Sequence, residues 1–292
     1  MATTFEIELP SGLTVSLRGW NIKWANDQVR SRMSPASMET TLLTECTTAV
    51  IDPGPYQIKD GTVNWNDVLI CDRSVALLAT RIPVWGRWLP IDHQCPRALP
   101  TPCRGKLQLP DEPIGGMGVA TLDLEKIVTD EVIPLPDESR KKIQDGDNVF
   151  EIEWEGIPVR FRLMRGRDQD SVQRFVGEAP GEMVTRSLAA RMISFGDVGV
   201  TRDPDGNVVY TSNARSEIAE VLKKGDFSYR LVELQDLMDD YDGGIETSIF
   251  LSCNDRNCGW SGEVDLPLGG MSSFWRPNST KRKRKTRGQM KD

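Results

Sequence analysis

The tetrapeptide Phe-Glu-Ile-Glu occurs twice, at 5–8 and at 150–153, and each copy opens an alternation of apolar and polar residues around a glycine-containing turn. Alternation puts the apolar side chains on one strand face, so both segments read as β-hairpins: Phe5, Ile7 and Leu9 answered by Leu13, Val15 and Leu17, and Phe150, Ile152 and Trp154 answered by Val159, Phe161 and Leu163. Each hairpin is followed by helical periodicity and then by a cysteine pair, Cys95 with Cys103 and Cys253 with Cys258. Beyond the pairs, Leu109-Pro110 leads to Gly115-Gly116-Met117, and Leu266-Pro267 leads to Gly269-Gly270-Met271. The offsets of 145, 157 and 154 keep the copies roughly in register, and a period of that size is that of a domain. The expectation is an α+β fold of two related halves, each a hairpin followed by helices and a cysteine-bearing, zinc-ribbon-like hairpin.

The boundaries that follow are an N-terminal half over 1–125, a linker with a short helix over 126–147, a C-terminal half over 148–277 and a basic tail over 278–292. Residues 22–48 read as two short helices broken near Ser34-Pro35, and 51–55 as a turn. A longer helix is predicted over 64–82, capped by Asn64 and Asp67. Val68, Cys71, Val75, Leu78 and Ile82 share its inner face, which makes Cys71 a core residue. Further helices are predicted over 168–176, 181–194, 213–224 and 227–240, a small hairpin around Asp205-Gly206, and extended chain over 84–110 and 246–267.

The formal charge of −7 is uneven: residues 281–292 carry +6, leaving −13 on the rest. An acidic body repels phosphate backbones, so nucleic-acid affinity would have to come from the tail alone. No apolar run is long enough to span a membrane, and the opening MATTFEIELP lacks the pattern of a signal peptide, so the expected setting is a cytosol with no membrane partner. Six cysteines in 292 residues are too sparse for a secreted disulfide scaffold.

Four thiolates, Cys95, Cys103, Cys253 and Cys258, suit one tetrahedral zinc with a pair from each ribbon. Their x7 and x4 spacings depart from the Cys-x2-Cys knuckle, so disulfides and plain packed thiols stand beside zinc as readings. A four-cysteine zinc is structural, because no coordination position remains for a substrate. His93 is the only histidine, so any imidazole mechanism must use it, and its Pro- and Cys-flanked loop makes no triad. Gly115-Gly116-Met117-Gly118 lacks the Lys-Ser/Thr of a phosphate loop. Asp236, Asp239, Asp240 and Asp242 miss the calcium-loop spacing and read as a solvated helix end. No catalytic constellation results, and the chain reads as a non-enzyme. Partner-binding candidates are the aromatic pair Phe274-Trp275 with Arg276, and the arm Lys281, Arg282, Lys283, Arg284 and Lys285.

Several pieces, in order, resemble the bacteriophage baseplate hub assembly family of T-even-type tails and related tailed phages. They include Ile7-Glu8-Leu9-Pro10-Ser11-Gly12, Cys71-Asp72-Arg73 with Arg81-Ile82, the first cysteine pair, and Arg160-Phe161-Arg162-Leu163. Asp242-Gly243-Gly244-Ile245-Glu246-Thr247 leading to Cys253 and Cys258, Glu263-Val264-Asp265-Leu266-Pro267-Leu268, and Phe274-Trp275-Arg276-Pro277 complete them. The resemblance implies a tail protein without enzymatic activity, located in the virion tail baseplate or in host cytoplasm during assembly, whose partners are other tail or baseplate subunits. This sequence departs from the family in its stretched cysteine spacings and in Phe-Trp where paired phenylalanines are usual. Two other classes compete: a zinc-ribbon protein binding nucleic acid through the tail, and a thiol enzyme using Cys95 or Cys103 with His93.

Overall fold

A computed structural model of the chain describes residues 4–21, 33–91, 94–97, 103–109, 120–173, 180–205, 208–211, 214–224, 230–245 and 248–265. Strands β1 (Thr4–Glu8) and β2 (Thr14–Arg18) form the first hairpin, with Phe5 opposite Leu17 and Ile7 opposite Val15. Its turn closes through the Leu9 N–H to the Leu13 carbonyl, with Gly12 at φ 91°. Helix α1 (Pro35–Cys46) starts where Ser34 caps the Ser37 N–H and proline occupies the first helical position, where its missing N–H costs nothing. It runs without a break into β3 (Thr47–Asp52), which lies antiparallel on β2. The predicted helix end and turn at 47–52 is thus a strand, because β2 offers an open edge and Thr47, Thr48, Val50 and Ile51 are β-branched.

Helix α2 (Ile70–Trp85) begins six residues later than its apolar spacing predicts. The preceding backbone is committed elsewhere: the Ile70 N–H donates to the Met164 carbonyl at 2.9 Å, and the Gly166 N–H to the Val68 carbonyl at 3.0 Å. Asn64 and Asp67 close a turn instead of capping a helix. The helix tolerates Pro83 in its last turn and stops at Gly86, φ 86°. Next come β4 (Trp88–Ile91), β5 (Leu107–Gln108), β6 (Ala120–Asp123, paired with β4), α3 (Leu124–Thr129), β7 (Val132–Ile133) and α4 (Asp137–Gln144).

The second hairpin, β8 (Phe150–Trp154) and β9 (Ile157–Phe161), turns through Glu155 and Gly156, both at positive φ. After α5 (Gly166–Gln173), helix α6 (Pro180–Arg191) runs straight into β10 (Met192–Phe195), which pairs with β9. Residues 192–194, predicted helical, are therefore strand, drawn onto the free edge of β9. The hairpin of β11 (Val200–Arg202) and β12 (Val208–Tyr210) precedes α7 (Ala214–Lys224) and α8 (Leu231–Asp239). β13 (Gly244–Ile245) pairs with β7, and β14 (Ser248–Cys253) pairs with both β15 (Ser261–Asp265) and β5. The fold is α+β, with eight helices and small antiparallel sheets among the described residues, where no helix is long and apolar enough to cross a membrane.

One order of elements recurs with additions: a hairpin, a helix running into a third strand on the hairpin's second strand, then another helix, with α5 and the β11–β12 hairpin interposed the second time. Pro35 and Pro180 open the helices that run into β3 and β10, 145 positions apart, the same offset as the two Phe-Glu-Ile-Glu segments. Packing follows a different division. One cluster gathers Leu13, Leu17, Leu42, Trp65, Val75 and Leu78, and the other Phe150, Val159, Phe161, Ile218, Leu222 and Leu234. Each fully buried Leu, Val or Phe contributes roughly 1.5–3 kcal/mol of transfer free energy. The cysteine ribbon of β14 and β15, expected with the second half, packs into the first cluster through Leu251 and Cys253.

Candidate metal centre

Two short ribbons build the site. In the first, Gln94 bridges Lys106 and the Cys95 N–H donates to the Gly105 carbonyl at 2.9 Å. In the second, Ser252 pairs with Ser261 and the Cys253 N–H donates to the Trp260 carbonyl, also at 2.9 Å. The turns match as well. Cys103 donates its N–H to the Arg97 carbonyl and Cys258 donates its own to the Asp255 carbonyl, each at 3.0 Å and each to the residue two after the first cysteine. The additional residues of the x7 spacing fall between Arg97 and Cys103, after the equivalent carbonyl. Spacing therefore misleads where hydrogen-bond register does not.

Each of the four ribbon sulfurs accepts an N–H from the residue two positions on: Arg97 to Cys95, Gly105 to Cys103 at 3.3 Å, Asp255 to Cys253 at 3.4 Å and Trp260 to Cys258. Donors aimed at sulfur favour the thiolate, the form that ligates metal. Across the ribbons, Cys95 Sγ lies 3.7 Å from Cys258 Sγ and Cys103 Sγ 3.6 Å from Cys253 Sγ, and all four sulfurs fall within 4.8 Å of one another. Zn–S bonds of about 2.3 Å put tetrahedral sulfurs about 3.8 Å apart, so the quartet has the dimensions of a four-thiolate metal site. A disulfide needs about 2.05 Å, and all six cysteines are free.

Burial and the adjacent thiols push the Cys253 thiol up to about 12, against the pull of the Asp255 N–H. Burial also acts to raise Cys258, but the Trp260 N–H, Arg97 and two neighbouring thiols bring it down to about 6. Four sulfurs at this spacing cannot all ionise by themselves. A divalent cation would hold all four as thiolates by supplying the opposing charge.

Three residues that the sequence reading passed over hold the ribbons together. Gly105 is required by space, since a Cβ there would stand 2.4 Å from Cys253 Sγ. Asn254 accepts the Lys106 N–H at 2.8 Å and returns its own N–H to the Lys106 carbonyl at 2.9 Å. Arg97 donates from its guanidinium to the Cys258 carbonyl. The legible signal was the glycine that follows closely on the second cysteine of each pair, at 105 and at 259.

The other candidates are distributed differently. Cys46 and Cys71 are core residues, and the Cys71 thiol hydrogen-bonds to Asp242. Asp242 is thus no solvated helix end: burial raises its carboxyl, and Gly243 gives it an N–H. Asp239 pairs with Arg191. His93, Phe274, Trp275, Arg276 and Lys281, Arg282, Lys283, Arg284 and Lys285 lie outside the described residues. Among those that are described, the four ribbon cysteines form the group of metal-ligating side chains close enough to share an ion. No family model, curated protein or solved structure matches the chain.

Proposed function

We propose that this chain is a non-enzymatic structural protein that docks to other proteins, its two ribbons closed on one structural zinc by Cys95, Cys103, Cys253 and Cys258. The observation that carries the reading is the convergence of four thiols from ribbons 150 or more residues apart into one closed quartet. A site with four protein ligands leaves no position for a substrate and acts as a staple. Exposed apolar side chains elsewhere on the sheets, Trp88 on β4 and Phe250 on β14, each about half exposed, fit a docking role. The baseplate resemblance supplies the setting: other tail subunits are the partners, and Phe274, Trp275, Arg276 and Lys281–Lys285 are anchors.

Elemental analysis with a thiol count under denaturing, non-reducing conditions tests the staple. About one zinc per chain with six free thiols supports it. Iron in the same quartet keeps the staple but changes the metal, and no metal with missing thiols sinks it. Docking is tested by co-sedimentation with purified baseplate subunits, and failure to bind any of them removes the assembly role. A second reading, a nucleic-acid-binding zinc ribbon, has one observation in its favour: Arg104, Lys106 and Arg256 are exposed on the ribbons. It requires DNA or RNA affinity that falls steeply with salt.

A further inference from the structure

A cavity of about 660 Å³ opens where the two core clusters meet, between the 55–68 segment on one side and Ile143, Gly146 and Arg165 on the other. Its volume lies within the roughly 300–1,000 Å³ typical of ligand pockets. Ile58, Val63 and Ile143 supply an apolar lining, and Lys59 and Arg165 supply two cations.

Arg165 differs from its neighbours. Arg160 pairs with Glu151 at 2.6 Å, Arg162 with Asp168 at 2.7 Å and Arg167 with Asp67 at 3.1 Å. Arg165 has no carboxylate partner among the described residues. The one carboxylate on the cavity wall, Asp67, is already engaged by Arg167 and by the Asn64 amide at 2.6 Å. A guanidinium on a cavity wall with no carboxylate paired to it suits an anionic ligand, and a planar carboxylate meets its fork best.

We propose that this cavity is a docking pocket for an acidic peptide segment of a partner protein, its carboxylate held by Arg165 and Lys59 and its neighbouring apolar side chain by Ile58, Val63 and Ile143. The proposal rests on the docking function above and names the chemistry of the segment that docks. The mixture of two cations with an apolar wall selects it, since an isolated inorganic anion would leave the apolar wall unused.

The test uses the full, metal-loaded chain and ¹⁵N NMR of the arginine Nε–Hε groups. Titrant peptides are acetyl-Leu-Glu-amide, the neutral acetyl-Leu-Gln-amide, and inorganic phosphate as a third arm. The expected result is a saturable shift of the Arg165 Nε–Hε signal with the Glu peptide alone, and affinity at least tenfold weaker in Arg165→Gln. Lys59→Gln, an exposed change, is expected to weaken binding about threefold, and it carries the test if Arg165→Gln alters the amide spectrum elsewhere. An equal response to the Gln peptide, or unchanged affinity in the variants, overturns the pocket; phosphate binding more tightly than the Glu peptide overturns its peptide occupant. Peptide binding in a chain that associates with no tail subunit would keep the pocket and sink the docking function, so the two failures are distinguishable.

Discussion

Helices α2 and α7 hold the same place in the repeated succession, each the first long helix after the third strand, and they begin 144 positions apart. Their surroundings are unlike. α7 is an ordinary surface helix, with Ala214, Ile218 and Leu222 facing the core at a spacing of four and Glu220 and Lys224 paired in solvent at 3.3 Å. α2 is buried almost all round: Cys71 joins the second cluster, and Val75 through Ala79 join the first. A helix enclosed in this way can hold polar residues only if every one finds a partner. Asp72 accepts the Ser11 N–H at 2.9 Å and the Tyr56 hydroxyl at 2.5 Å. Arg73 donates to the Trp65 carbonyl at 2.6 Å, to Thr40 at 3.0 Å and to the Ala36 carbonyl at 3.3 Å, and lies 3.7 Å from Glu39. Two helices at similar places in the chain order thus differ by surroundings: α2 is the interlock between hairpin turn, α1 and both clusters.

The largest expected effect concerns the two ribbons, whose turn hydrogen bonds match where the helices differ. Structural zinc contributes about 10–16 kcal/mol of apparent binding free energy, so losing one ligand should remove several kcal/mol, about 10–20 °C in Tm. Cys95→Ser and Cys253→Ser should fall by similar amounts in a thermal melt with zinc present. A large effect from one and none from the other would break the equivalence.

Next is the interlock itself. Arg73→Met leaves Glu39 buried without its cation and should cost about 3–5 kcal/mol in urea unfolding, and adding Glu39→Gln should return part of that loss. A loss under about 1 kcal/mol would reduce α2 to the status of α7.

Asp72 carries a pH signature that α7 lacks. Burial raises its carboxyl from 3.8 to about 6, against the pull of the Ser11 and Tyr56 donors. The folded chain therefore holds this proton more tightly than the unfolded one, and the resulting stability is full below about pH 4 and lost as pH rises through 6. That is about 3 kcal/mol across the window, and Asp242, also raised by burial, acts in the same direction. Asp72→Asn keeps an acceptor for Ser11 and should flatten the decline between pH 4 and 7. An unchanged slope would show that the carboxyl is not enclosed as described. The smallest effect belongs to α7, where Glu220→Gln should cost about 0.3–0.5 kcal/mol, within reach of careful denaturant melts.

Much of this plan is legible along the chain. Alternation around Gly12 and Gly156 marked both hairpins, because one buried face forces a period of two, and both formed, the second pairing Trp154 with Ile157 and ending before Leu163. The face shared by Val68, Cys71, Val75 and Leu78 placed Cys71 in the core, where it lies. The start of α2 was not legible, since the bonds that delay it come from Met164 and Gly166, about a hundred residues away. Strands β3 and β10 were hidden for the same reason: a helix that continues directly into a strand shows no break, and only the open edges of β2 and β9 decide where it ends.

The four cysteines divide in the same way. Residue type and pairing along the chain were enough to single out Cys95, Cys103, Cys253 and Cys258 as one possible site, while their uneven spacings left zinc, disulfides and free thiols open. The tertiary structure decided that they converge, through β5 pairing on β14, Asn254 bonding Lys106 and a glycine at 105 that leaves room for the Cys253 sulfur. Local sequence sets side-chain periodicity and turn chemistry because those depend on neighbours within a few residues. Which ribbon meets which cluster, and which helix is enclosed, depends on pairings across more than a hundred residues, where only the folded chain brings the partners within bonding distance.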